Sequence, residues 1–153
     1  MTQGWQFSAA GRTLPQEDRD YPEWHQGRTH YGVWLIDADI SAVRERITQA
    51  QAHLAPLLVH HQRQPHITLF VCGFMADVVV HSDDFTPAML AKQQAALHAL
   101  QIKPFTLQIG AIDSFDSAVF LRVEDPSGGL APLRQALGQG TREIRQSAYV
   151  PHL

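Results

Sequence analysis

The stretch Pro65-His66-Ile67-Thr68-Leu69-Phe70 decides the fold of this chain, and Tyr149-Val150-Pro151-His152-Leu153 repeats its pattern. In both stretches a proline precedes a histidine within an apolar run that is typical of a β-strand. Because side chains alternate between the two faces of a strand, we expect His66 and Thr68 to project from the same face. An imidazole that can move a proton then lies beside a hydroxyl that can bind an anionic oxygen.

The two histidine stretches end two similar units of sequence. Residues 31–37 lead through a helix to His66, and residues 118–124 lead through a helix to His152. From Val33 to His66 is 33 positions, and from Phe120 to His152 is 32. This repetition predicts two similar lobes whose histidines face each other across a shared cleft.

Hydrophobic periodicity places the remaining elements. We expect strands at residues 31–37, 66–74, 105–112, 117–124 and 148–153. We expect helices at residues 40–54, with Ser41 or Asp39 as the cap, at residues 87–100 behind a Thr86 cap, and at residues 130–137. Residues 1–29 are polar and show no sustained period, so we interpret them as an irregular arm before a single domain of residues 30–153. Within the arm, we expect four residues either to cover the cleft or to pack against the adjacent lobe: Tyr21, Trp24, His25 and Arg28.

Composition indicates a soluble globular protein of one domain. The chain has 153 residues, of which 44% are hydrophobic and 18% charged, and its net charge is −3 with histidine neutral. This balance argues against a broad cationic surface for long duplex nucleic acid, although one local phosphate site remains compatible with it. Cys72 is the single cysteine, and no signal sequence or membrane span is evident, so we expect a cytoplasmic protein.

A pair of opposed histidines suits phosphodiester chemistry. One neutral imidazole accepts a proton from the attacking water or hydroxyl, and the other, protonated, donates one to the leaving oxygen. Histidine is suited to both tasks because its ordinary pKa of about 6.5 lets the two forms coexist near neutral pH. A hydroxyl two residues further along the strand can bind the non-bridging phosphate oxygens, where charge accumulates in the transition state. This chemistry requires no metal or other cofactor.

These residues carry a resemblance to a known family. The two Pro-His runs, their separation of 86 positions and the repeat around them resemble the two-histidine (2H) phosphoesterase superfamily, which includes 2′,5′-RNA ligase-like proteins and cyclic phosphodiesterases. The resemblance covers roughly residues 30–153. It implies an α+β fold with two lobes, antiparallel sheets along a central cleft and helices outside. It also implies that His66, Thr68 and His152 are catalytic residues of paired His-x-Thr/Ser motifs.

The second motif departs from the family pattern. The family places Thr or Ser two residues after the second histidine, whereas this sequence stops at Leu153. Three explanations are open: the chain is a fragment of a longer protein, its second lobe is incomplete, or a partner chain completes that lobe. We favour a fragment, and we then expect the activity implied by the resemblance to belong to the longer protein.

Three functions remain open at the level of sequence, and the least favoured is a metal-dependent hydrolase that uses the histidine cluster. The first is a metal-independent phosphoesterase acting on a 2′,3′-cyclic phosphate, a 2′-5′ linkage or a related small cyclic phosphate of a nucleotide or RNA end. The second is a non-catalytic module that binds a nucleotide or RNA end in the same cleft. Within the strand at residues 117–124, Phe120 and Arg122 share a face. Phe120 is a candidate for stacking on a base, and Arg122 is a candidate phosphate ligand.

Two further features of the sequence could suggest a functional site, but we expect neither to form one. His60, His61 and His66 offer histidines for a metal, but no Cys or carboxylate spacing supports a zinc site, so we expect none. Cys72 is expected to be a buried, inert thiol.

Overall fold

The computed structural model describes residues 12–15, 17, 19–59, 63–145 and 147–153. Within them, helices and antiparallel-rich sheets are both present, so the α+β class predicted from the sequence is confirmed. The arrangement of the chain as two lobes around a cleft stays a prediction. In chain order the elements are α1 (Pro22–His25), β1 (Tyr31–Asp37), α2 (Ser41–Leu54), β2 (His66–Met75), β3 (Asp84–Phe85), α3 (Pro87–Leu100), β4 (Gln108–Ser114), β5 (Val119–Glu124) and α4 (Leu130–Leu137).

The first sheet, in the order β1-β2-β3, carries the first histidine motif. β1 and β2 pair antiparallel, with Asp37 opposite His66 and Leu35 opposite Thr68, and β3 runs parallel to β2. At the start of β2 the partly exposed His66 and Thr68 alternate with the buried Ile67 and Leu69, as a strand with one buried face requires. The predicted shared face of His66 and Thr68 is therefore confirmed.

The core lies behind this sheet, where β2, β3 and α4 bring apolar side chains together. Its buried members are Leu69, Phe70, Cys72, Phe85, Leu130 and Leu137. The start of α3 follows the prediction, since the Thr86 hydroxyl accepts a hydrogen bond from the Met89 N–H and Pro87 opens the helix.

The predicted cap of α2 is wrong. Ile40 occupies the N-cap position and makes no side-chain cap hydrogen bond, while Ser41 is already the first residue of the helix. The Asp39 carboxylate instead binds the Arg44 guanidinium through both of its oxygens, at 2.5 and 2.6 Å. The Asp39 carboxylate is therefore bound to the guanidinium of Arg44, five residues along the chain, and not to a backbone N–H of the first helical turn.

The second sheet carries the second histidine. β4 and β5 pair antiparallel around a turn that the Phe115 N–H closes by donating to the Ala118 carbonyl oxygen at 2.8 Å. The predicted strand at residues 148–153 is shorter than expected: it forms an isolated antiparallel bridge between Arg122 and His152. In both halves of the chain the strand that opens the repeated unit thus pairs antiparallel with the segment that carries the histidine.

The described part of the arm packs against the first sheet. Trp24 lies edge-on to the Phe74 ring, with centroids 4.7 Å apart. Arg28 pairs with Asp83 and with the buried Asp84, at 2.6 Å in both cases. Trp24 and Arg28 therefore pack against the first sheet, and a role in covering the cleft stays a prediction.

Candidate active site

The two histidines are held in the same way. His66 Nδ1 lies 2.8 Å from the carbonyl oxygen of Gln64, and His152 Nδ1 lies 2.7 Å from the carbonyl oxygen of Val150. A carbonyl oxygen can only accept, so Nδ1 carries the proton and donates it in both rings. The local bond to the residue two positions earlier thus fixes the tautomer and leaves Nε2 as the nitrogen available to a substrate.

Thr68 is connected to the second motif through its backbone. The Tyr149 hydroxyl, three residues before His152, donates a hydrogen bond to the Thr68 carbonyl oxygen at 3.1 Å. The Thr68 side chain remains on the partly exposed face that it shares with His66. The strand of the first motif and the segment of the second are therefore bonded to each other beside the histidines.

His152 is partly buried beside two phenylalanine rings. The Phe115 ring lies edge-on at 5.1 Å and the Phe120 ring at 5.3 Å between centroids. Burial lowers the pKa of His152, and the positive charges of Arg145 and His66 lower it further against the opposing hydrogen bond to Val150. A neutral imidazole is thereby favoured at His152.

The two binding residues predicted on β5 occupy different environments. Phe120 is 5% exposed and packs on Phe115 at 4.3 Å between centroids as well as on His152. Arg122 is partly buried and lies directly opposite His152 in the β-bridge. Both are therefore neighbours of His152, and their predicted roles in stacking and phosphate binding stay predictions.

Arg145 is a candidate that the sequence analysis missed. Its Nε donates to Glu143 Oε1 at 3.1 Å, and its guanidinium carbon lies 5.3 Å from the centre of the Tyr149 ring. Glu143 also pairs with Arg134 at 2.7 Å and accepts the Val71 N–H at 3.1 Å, which anchors the segment to β2. The sequence signal for this residue is weak, because residues 138–147 have no period and are typical of a polar connection.

Cys72 is buried at 4% exposure, and its Sγ lies 3.5 Å from Gln93 Oε1. Burial raises the pKa of its thiol to about 11. The expected burial of this thiol is confirmed, and its raised pKa favours the thiol over the thiolate.

Comparison with known proteins identifies the family. A family model described as the 2′-5′ RNA ligase superfamily matches residues 38–153. The chain belongs to this superfamily. It is therefore a member of the 2H phosphoesterases, as the paired motifs indicated. No individual curated protein and no solved structure gives a significant match.

The segment matched to the 2′-5′ RNA ligase superfamily contains His66, Thr68 and His152, whereas β1 and the arm precede it. Membership is consistent with 2H phosphoesterase chemistry on RNA or nucleotide substrates. Among the described residues no cluster of three or more His, Cys, Asp or Glu side chains is placed to hold a metal ion. His60 and His61, which were considered as metal ligands, lie outside the described residues. No helix in the described parts is both long and apolar enough to cross a bilayer.

Proposed function

We propose that this protein is a metal-independent phosphoesterase that hydrolyses a 2′,3′-cyclic phosphate, a 2′-5′ phosphodiester or a related small cyclic phosphate. The observation that carries the proposal is the matched pair of imidazoles. His66 and His152 use Nδ1 for the same backbone bond, and both retain Nε2 for a substrate. This arrangement provides one proton acceptor and one proton donor.

The environments of the two rings support an assignment of roles. His152 lies beside Phe115 and Phe120, and burial and neighbouring positive charge favour its neutral form, so we assign it as the base. Its Nε2 takes the proton of the attacking water while the water oxygen forms a bond to phosphorus. The bond from phosphorus to the leaving ribose oxygen breaks, and protonated His66 donates its Nε2 proton to that oxygen.

Hydrogen-bond donors near the histidines would stabilise the charge on phosphorus. The Thr68 hydroxyl lies on the face of His66 and can donate to a non-bridging oxygen. Arg122 lies opposite His152 in the β-bridge, and the charge of Arg145 lowers the pKa of His152, so both can supply positive charge to a bound phosphate. We propose Thr68 as the phosphate ligand from the first motif and Arg145 as the main cationic ligand.

The test is turnover of a panel of 2′,3′-cyclic nucleotides and a 2′-5′-linked dinucleotide in the presence of a chelator. We expect His66→Ala and His152→Ala to lower kcat by about 10²–10⁴-fold and Thr68→Ala by about 10²-fold. His98→Ala removes an exposed histidine on α3 and serves as the matched control, for which we expect full activity. Near-normal turnover by His66→Ala would exclude the mechanism.

The same panel separates the enzyme from a binding module. Calorimetry with a cyclic nucleotide and with its hydrolysed product would give stable isotherms without product formation if the site only binds. The protein would then be a module that recognises a nucleotide or RNA end without hydrolysing it.

A further inference from the structure

One partly buried carboxylate binds two arginines in the segment that leads to His152. Glu143 Oε2 accepts a hydrogen bond from Arg134 Nη2 at 2.7 Å, and Glu143 Oε1 accepts one from Arg145 Nε at 3.1 Å. Burial alone would raise the pKa of Glu143, but the hydrogen bonds from Arg134, Val71 and Arg145 outweigh burial and lower that pKa. An ionised carboxylate therefore lies between two guanidinium groups.

Arg134 is bonded to the protein through both of its terminal nitrogens. Its Nη1 donates to the Leu69 carbonyl oxygen and its Nη2 to Glu143, while its guanidinium carbon lies 3.7 Å from the centre of the Tyr149 ring. The Tyr149 hydroxyl in turn donates to the Thr68 carbonyl oxygen at 3.1 Å. Arg134 therefore connects β2 to the segment that carries the second histidine, and its terminal nitrogens already have partners.

Arg145 is held differently, because only its Nε is bonded to the carboxylate. Within the described parts of the chain, its two terminal nitrogens donate no hydrogen bond. A guanidinium is planar and rigid, so a bond that fixes Nε also fixes the direction of the terminal N–H groups. The end of this guanidinium is thereby left as a fork that can bind two oxygens of one phosphate.

The charges of these three side chains do not cancel. Two guanidinium groups and one carboxylate leave one net positive charge. Burial lowers the pKa of His152, and the charge of Arg145 lowers it further, so this charge acts at the candidate active site. A phosphate bound next to His152 would therefore be attracted by Arg145.

Glu143 also has a structural task. It accepts the Val71 N–H at 3.1 Å, and among the described residues β3 pairs with β2 only at Phe74 and Met75. This part of the β2 edge therefore needs a partner other than a strand. A carboxylate that only satisfied the strand edge would change stability without changing the chemistry, so an experiment must separate the two roles.

We propose that Glu143 is a positioning residue whose carboxylate directs the terminal nitrogens of Arg145 at the phosphate of the substrate. Glu143 does not itself contact the substrate, and Arg134 keeps the carboxylate in place. This inference rests on the proposed function for the presence of a phosphate beside the histidines. One carboxylate thus distinguishes an arginine that supports the fold from an arginine that binds the substrate.

Glu143→Gln separates the two roles because the amide keeps one function of the carboxylate. Its oxygen can still accept the Val71 N–H, but a neutral amide binds the two guanidinium groups much more weakly than a carboxylate does. We expect kcat/KM on a 2′,3′-cyclic nucleotide to fall by about 10- to 100-fold, since a misplacement of about 1 Å can cost about 10²-fold.

Two further variants complete the comparison. Glu143→Ala also loses the bond to Val71, so it should unfold at a lower urea concentration than Glu143→Gln and show a similar loss of kcat/KM. Glu45→Gln makes the same substitution at an exposed position of α2 and is the matched control, for which we expect full activity.

A cycle of wild type, Glu143→Gln, Arg145→Ala and the double variant shows whether Glu143 acts through Arg145. If it does, the double variant should be no less active than Arg145→Ala alone. Losses that multiply in the double variant would overturn the inference, and so would wild-type kcat/KM in Glu143→Gln.

Binding of inorganic phosphate keeps the inference separate from catalysis. Calorimetry should give a Kd that is about tenfold or more weaker in Glu143→Gln and in Arg145→Ala, with no further loss in the double variant. Absence of turnover by the wild type on every substrate, with this pattern of phosphate binding retained, would refute the proposed function and keep the positioning role. Turnover by the wild type, with phosphate affinity and kcat/KM both unchanged in Glu143→Gln, would overturn the positioning role alone.

Discussion

Gln93 offers a sharp test of how the layer behind the candidate active site is held together. This side chain on α3 is fully buried, with 0% exposure. Its Oε1 accepts the Trp34 indole N–H at 2.7 Å, and its Nε2 donates to the Leu137 carbonyl oxygen at 3.0 Å and to Thr141 Oγ1 at 2.9 Å. One amide thus connects α3 to β1 and to the end of α4.

The cost of replacing Gln93 by Leu follows from which partners keep another hydrogen bond. The Thr141 hydroxyl donates to the Leu137 carbonyl oxygen at 2.7 Å, so these two groups still satisfy each other in the variant. The Trp34 N–H loses the acceptor that the structure gives it, and so does the Cys72 thiol, which is only a weak donor. A buried donor without a partner costs about 1–3 kcal/mol, and because Trp34 is partly exposed we expect Gln93→Leu to lose about 1–2 kcal/mol of unfolding free energy.

Urea unfolding of four proteins measures this loss. A cycle of wild type, Gln93→Leu, Trp34→Phe and the double variant should give a coupling of about 1 kcal/mol, since Phe has no donor left to satisfy. The cycle removes the packing changes that both single variants share with the double variant. Additive losses, or a Gln93→Leu protein as stable as wild type, would refute the inference that Gln93 stabilises the fold by accepting the Trp34 N–H.

Three further predictions concern the site itself. Arg145→Ala should lower kcat/KM on a cyclic phosphate by roughly 10²-fold, which is the lower end of the range for losing a donor to a charged oxygen. Arg145→Lys should recover part of this activity, and Arg142→Ala, at an exposed neighbouring position, should lose none. The acidic limb of the plot of kcat/KM against pH should lie below about pH 6.5, because burial and, to a smaller extent, nearby positive charge lower the pKa of His152. Phe115→Ala exposes the His152 ring to water and should move that limb to higher pH. Since burial raises the pKa of the Cys72 thiol to about 11, an alkylating reagent at neutral pH should modify the native protein only at its rate of unfolding, whereas rapid labelling would contradict the buried position.

Local patterns in the sequence were sufficient for the parts of the fold that depend on neighbouring residues. Alternation in β2 placed His66 and Thr68 on one face, and the pair Thr86-Pro87 located the start of α3. These features follow from strand geometry and from the hydrogen-bonding needs of a helix terminus, so a single sequence contains the information.

The features that the sequence analysis missed depend on partners far along the chain. Gln93 was not among the expected core positions, because an amide is buried only where three separate elements supply its partners. Arg145 lies in a segment without a period, and its position follows from Glu143 binding the β2 backbone. The burial of Phe120 was not foreseen either, because it depends on the Phe115 ring of the preceding turn, which packs on it.

The position of the two histidines relative to each other depends on one short segment, residues 143–153. The Ile144 N–H donates to the Val71 carbonyl oxygen at 3.1 Å, and the Tyr149 hydroxyl reaches the Thr68 carbonyl oxygen, so the segment begins against β2. It ends against β5, where Leu153 exchanges two backbone hydrogen bonds with Leu121. Because the same segment is bonded to both sheets, a change that shifts it, such as Tyr149→Phe, alters the separation of the imidazoles without touching either ring. A separation that is wrong by about 1 Å can cost about 10²-fold in rate, so we expect Tyr149→Phe to lower kcat more than it lowers stability, for which a single hydrogen bond is worth only about 1 kcal/mol.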